Sequence, residues 1–139
     1  MDRPYLIVLA DDHAMVRRGI KKIIEDNPEL KVVAEVGDGL EALDYLRKNA
    51  PSPDMVIMDI SMPRMGGIEA TAEIKRNYPE IKVLILTMHN DKEHLNRALA
   101  EGADGYLAKQ EMDTELFAAI STIRHGDIYI CPLMRLFGS

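Results

Sequence analysis

A chain of 139 residues has the length of one ordinary domain, and with 47% hydrophobic residues it can bury a proper core. Its 17 basic and 23 acidic side chains leave a formal net charge of −6, which argues against a nucleic-acid surface on this chain alone. The single cysteine, Cys131, excludes an internal disulfide and a cysteine-based zinc site.

The first apolar run is Leu6–Ala10. It is too short for a signal peptide or a membrane span, so a soluble protein of the cytoplasm, without membrane contact, is expected. Val16, Ile20, Ile23 and Ile24 then recur on one helical face, in a helix that starts near Ala14. A second strand is predicted at Val32–Val36 and a second helix from Leu40, Leu43 and Leu46. The third strand is Met55–Met58. A less regular helix follows over Ile68 to Tyr78, with Thr71, Ile74 and Tyr78 on one face. Val83–Leu86 gives a fourth strand, and Leu95, Ala98, Leu99 and Gly102 a fourth helix. A weaker strand at Tyr106–Ala108 precedes a fifth helix carrying Leu116, Ala119, Ile120 and Ile123. Asn27-Pro28, Pro51-Ser52-Pro53 and Tyr78-Pro79 punctuate the passage from helix to strand.

Strands one, three and four are apolar without alternation, as in a parallel sheet covered on both faces. Five βα units in succession predict an α/β doubly wound sheet of flavodoxin-like (βα)5 type, strand order 2-1-3-4-5. Such a module occupies residues 1–125. Residues 126–139 have no place in it and are expected to be a tail or the start of an interdomain linker.

Ligands of open α/β sheets bind at the carboxyl ends of the strands, where strand order reverses. Strand one ends in Asp11-Asp12, strand three in Asp59, strand four in Thr87 and strand five at Lys109. Three carboxylates, a hydroxyl and an ammonium should converge there. Two like charges about 4 Å apart cost roughly 4 kcal/mol at an effective dielectric near 20, so a proton or a cation is needed. Oxygen donors of this kind suit Mg²⁺, or Mn²⁺. A carboxylate beside such a metal can attack a phosphoryl group, while a lysine and a hydroxyl hold the phosphoryl oxygens.

Asp11-Asp12, Asp59 followed by Ser61-Met62-Pro63 and Gly66-Gly67, Thr87, Tyr106 and Lys109 together resemble the receiver domain of bacterial two-component response regulators. The resemblance covers about residues 5 to 125. It implies that Asp59 accepts a phosphoryl group from a sensor histidine kinase. It further implies that Asp11, Asp12, Asp59 and the Ser61 carbonyl hold the metal, and that Thr87 and Lys109 bind the phosphoryl group. Tyr106 would switch rotamer with the state of Thr87. Such a protein is a signalling switch, catalysing only its own phosphorylation and dephosphorylation. A homodimer through the face of the fourth helix, fifth strand and fifth helix is a further implied partner.

Gln110 stands where many receivers have proline; variants without that proline occur among receivers of LuxR/NarL-type transcription factors, and Ile123–Tyr129 resembles the end of such a receiver. DNA would then be bound only through a C-terminal helix-turn-helix domain that this sequence lacks. A free-standing receiver acting through protein contacts is the alternative. The output is expected to be transcription.

Blander readings compete. Asp11-Asp12 could cap the first helix. Asp59 could be a turn residue before Pro63. Thr87 and Lys109 are each ordinary taken singly, and Tyr106 could be plain core. Met62, Met65 and Met88 read as filler, and His13, His89, His94 and His125 share no metal-ligand spacing on one helix. For His89 and Ser61, each two residues past a site residue, the resemblance implies a place at the mouth of the pocket and an influence on how fast the phosphoryl group is hydrolysed. Arg17, Arg18, Lys21 and Lys22 read equally as a solvated face and as a kinase-docking face. An FMN phosphate would be repelled by Asp11-Asp12, and no Gly-x-Gly-x-x-Gly follows strand one. A phosphatase working through an aspartyl phosphate would need a second acid where Ser61 stands.

Overall fold

The computed structural model describes residues 3–48 and 52–136. Strands β1 (Tyr5–Ala10), β2 (Leu30–Val36), β3 (Met55–Met58), β4 (Lys82–Thr87), β5 (Gly105–Ala108) and β6 (Tyr129–Ile130) alternate with helices α1 (Ala14–Glu25), α2 (Gly39–Lys48), α3 (Gly67–Asn77), α4 (Lys92–Ala100) and α5 (Met112–Arg124). The strands form one sheet in the order β2-β1-β3-β4-β5-β6, every pair parallel. This is the doubly wound, flavodoxin-like arrangement that the βα rhythm predicts. Pro51 lies outside the described residues.

The continuous apolar strands are explained by what covers them. All four residues of β3 are buried, as are Val83–Thr87 of β4, because helices lie on both faces. Helix α1 packs beside α5 on one face, while α2, α3 and α4 follow one another on the other. Burial of Ile20 and Ile24 on α1, and of Leu116, Ala119, Ile120 and Ile123 on α5, follows the one-face spacing of the sequence.

The third helix starts one residue before its expected first position. Gly67, at its first turn, has room for no side chain: an added Cβ would stand 2.2 Å from the Asp59 carbonyl oxygen. Its amide donates to the Ile60 carbonyl at 2.9 Å, which pulls the start of α3 under the loop after β3. Glycines also end two helices with φ of +98° at Gly102 and +97° at Gly126, a region other side chains avoid.

The segment after Gly126 differs from expectation. It returns to the sheet as β6, where the Tyr129 amide donates to the Asp104 carbonyl and the Cys131 amide to the Tyr106 carbonyl, both at 3.0 Å. Tyr129, Cys131 and Met134 are buried by it. The Tyr129 hydroxyl donates to a Glu115 carboxylate oxygen, tying the new edge to α5. A two-residue strand is below the length at which periodicity can be read, which is why the sequence assigns it no element.

Candidate functional site: an acidic pocket at the strand ends

Asp11, Asp59, Thr87 and Lys109 meet at the carboxyl edge of β1, β3, β4 and β5. Asp11 and Asp59 keep 4% and 7% of their surface, and Thr87 none, so burial makes their partners decisive. The Lys109 ammonium bridges the two acids, donating to Asp11 Oδ2 at 2.6 Å and to Asp59 Oδ2 at 2.9 Å. Thr87 Oγ1 donates to the other Asp59 oxygen, Oδ1, at 2.7 Å. That oxygen also accepts from the Ile60 amide at 2.7 Å and the Ser61 amide at 3.4 Å. Burial works against the charge on Lys109, but the hydrogen bonds and charges of Asp11 and Asp59 outweigh it and hold its pKa above the ordinary lysine range.

The expected crowding of three acids is offset in part within the chain. Lys109 sits between two of them, and the third, Asp12, is exposed and pairs with the His13 imidazole at 3.1 Å. Nor does the Asp11-Asp12 pair cap α1. The residue at the cap position is His13, whose side chain makes no capping bond, and the Asp11 carboxylate accepts from the His13 amide at 2.9 Å. One ligand atom each from Asp11, Asp12 and His13 lies within 4.8 Å of the others. Oxygen donors of one buried and one exposed carboxylate fit a hard dication that keeps several waters.

Ser61 is exposed beside Asp59, and its hydroxyl lies 2.7 Å from His89 Nε2, so both residues stand at the mouth of the pocket as the receiver resemblance implies. Tyr106 is wholly buried, and its hydroxyl donates to the His89 carbonyl at 2.7 Å. The His89 amide in turn points to Thr87 Oγ1 at 3.3 Å. Asp59, Thr87, His89 and Tyr106 thus form one hydrogen-bonded chain. Burial pushes the Tyr106 phenol well above its usual pKa, with the Asp91 and Asp59 charges adding to the effect, so it stays a donor.

Sequence reading missed Arg17. It falls within a basic run, yet its guanidinium reaches the Asp11 carbonyl and the Glu35 carboxylate, and only 19% of its side chain is exposed. No local signal marks it, since one helical spacing serves both a solvated arginine and one that folds back over the sheet edge.

Known proteins resemble this chain in sequence and in fold. The family model described as response regulator receiver domain matches residues 7–121. The transcriptional regulatory protein DegU of Brevibacillus brevis is 42% identical over 127 residues, 91% of this chain and 52% of that protein. The oxygen regulatory protein NreC of Staphylococcus carnosus is 43% identical over 129 residues, 92% of this chain and 58% of that protein. The chain thus spans little more than half the length of these relatives. Among solved structures, a LuxR-family two-component response regulator from Aurantimonas sp. SI85-9A1 superposes with a TM-score of 0.90 at 38% identity, covering 96% of this chain and 94% of that one. With the parallel sheet, the acidic edge and these relatives in agreement, the chain belongs to the response regulator receiver family, on its LuxR/NarL-type side.

Proposed function

We propose that Asp59 is the phosphoacceptor of a two-component signalling switch. The observation that carries the reading is the fully addressed Asp59 carboxylate, with the Thr87 hydroxyl on one oxygen and the Lys109 ammonium on the other. An Asp59 oxygen attacks the phosphorus of a phosphohistidine on a sensor kinase, the P–N bond breaks, and the imidazole leaves with a proton from solvent. Thr87 and Lys109 then hold the phosphoryl oxygens, and Lys109 offsets the charge that spreads over them. Asp11, Asp12 and Asp59, with the Ser61 carbonyl, would hold Mg²⁺ or Mn²⁺, which supplies charge neutralisation for the transferred group.

The aspartyl phosphate carries about two negative charges where the free Asp59 carboxylate carries one, and it brings new acceptor oxygens. Thr87 follows the new oxygens, and the chain through His89 carries that displacement to Tyr106 and the face of α4, β5 and α5. That face is the proposed homodimer surface. Control of transcription would pass through a C-terminal DNA-binding domain, with residues 126–139 leading toward it, in the cytoplasm. A phosphatase with external turnover is disfavoured because Ser61, not an acid, stands two residues past Asp59.

Intact-mass spectrometry after incubation with a small acyl phosphate and Mg²⁺ tests the reading. Wild type should gain the mass of one phosphoryl group, and Asp59→Asn should not. Full phosphorylation of Asp59→Asn, or sustained release of phosphate from an external phosphoester, would refute it.

A further inference from the structure

The fold gathers a second set of ligating groups outside the acidic pocket. His89 comes from the loop after β4, Asp91 caps α4, and His94 lies in its first turn. One ring nitrogen from each histidine and one Asp91 carboxylate oxygen lie within 4.8 Å of one another. The two imidazoles are stacked, centroids 4.2 Å apart and planes inclined by 23°. His94 Nδ1 faces both Asp91 oxygens, at 2.8 and 2.9 Å.

Helix capping accounts for part of this cluster. Asp91 accepts from the His94 amide at 3.1 Å, as a cap residue should. It does not account for His89, which belongs to no helix and lays its ring on His94. Nor does it account for the orientation of the His89 ring, which is fixed by the Ser61 hydroxyl 2.7 Å from Nε2. A ligating imidazole held by a hydrogen bond from a neighbour is the usual support of a metal centre.

We propose that His89, Asp91 and His94 form a binding site for a borderline dication of the Zn²⁺ class. Two nitrogens and one oxygen are the donors of zinc, nickel and copper sites and are poor for Mg²⁺, so this site and the acidic pocket select different ions. Tetrahedral coordination at about 2.0–2.2 Å needs ligand atoms about 3.3–3.5 Å apart. All three ligand atoms lie within 4.8 Å of one another, and side-chain rotation can bring them to that spacing, since 49% of the Asp91 and 26% of the His94 side chain is exposed. Solvent supplies the fourth ligand.

Zn²⁺ titration by calorimetry, in a non-chelating buffer with Mg²⁺ in excess to occupy the acidic pocket, tests the proposal. Wild type and Asp12→Ala should each bind one equivalent of Zn²⁺, and His94→Gln should lose the isotherm while keeping its circular dichroism spectrum. An unchanged isotherm in His94→Gln overturns the proposal. A second reading needs no variant. In the wild-type NMR spectrum, Zn²⁺ should move the ring signals of His89 and His94 together, and movement of His13 or His125 alone overturns it.

Discussion

Removing the ammonium between the two buried acids is the sharpest test of how the pocket is held together. In Lys109→Met the stem is kept and the charge is lost. Each ion pair, at 2.6 and 2.9 Å, carries about 6 kcal/mol of gross attraction at an effective dielectric near 20. Most of this offsets desolvation, since only 10% of the Lys109, 5% of the Asp11 and 9% of the Asp59 side chain is exposed. Breaking a buried pair by deleting one partner typically costs about 3–5 kcal/mol, because the other charge is left uncompensated. For a domain of this size that corresponds to a melting temperature lower by about 10 °C or more. Urea denaturation with EDTA should show the full loss, and excess Mg²⁺ should recover part of it. The pH dependence has a definite sign. The folded pKa of Lys109 is raised above 10.5, so its contribution is complete below that value and fades as pH rises through the raised one. The gap between wild type and variant should therefore be flat from neutral pH upward and shrink only in strong alkali. Equal stability of the two proteins in EDTA at neutral pH would refute this account of the pocket.

Two further substitutions separate charge from packing. Asp12→Ala should melt slightly higher than wild type without metal, by at most about 1 kcal/mol because Asp12 is solvent-exposed, and should lose most of the Mg²⁺-dependent stabilisation seen in thermal melts; an equal Mg²⁺ response in both proteins would count against Asp12 as a ligand. Gly67→Ala should destabilise by about 1–3 kcal/mol in denaturant titrations, because its Cβ meets the Asp59 backbone rather than a flexible side chain, and should slow phosphoryl uptake by displacing Asp59; wild-type stability would show that α3 can slide away freely.

The sequence by itself determined the parallel sheet, the order of its first five strands and the edge on which the chemistry lies. Those features are local. A run such as Met55–Met58, apolar on both faces, calls for cover on both, and the right-handed crossover rule then leaves few arrangements. Asp11, Asp59, Thr87 and Lys109 were legible because each stands at the carboxyl end of a strand, Thr87 as its last residue and the others just after it. Only the tertiary structure decided how they pair. Lys109 reaches Asp11 across 98 residues and Asp59 across 50, and whether it neutralises them or turns to solvent depends on the twist and spacing of strand ends, which no periodicity encodes. The same holds for Asp12, turned outward to His13, and for His89, brought onto His94 by a loop rather than by a helical repeat. The sixth strand shows the limit most plainly. Tyr129 and Ile130 make a strand only because β5 offers a free edge beside α5, so their structure comes from their neighbours rather than from their own pattern.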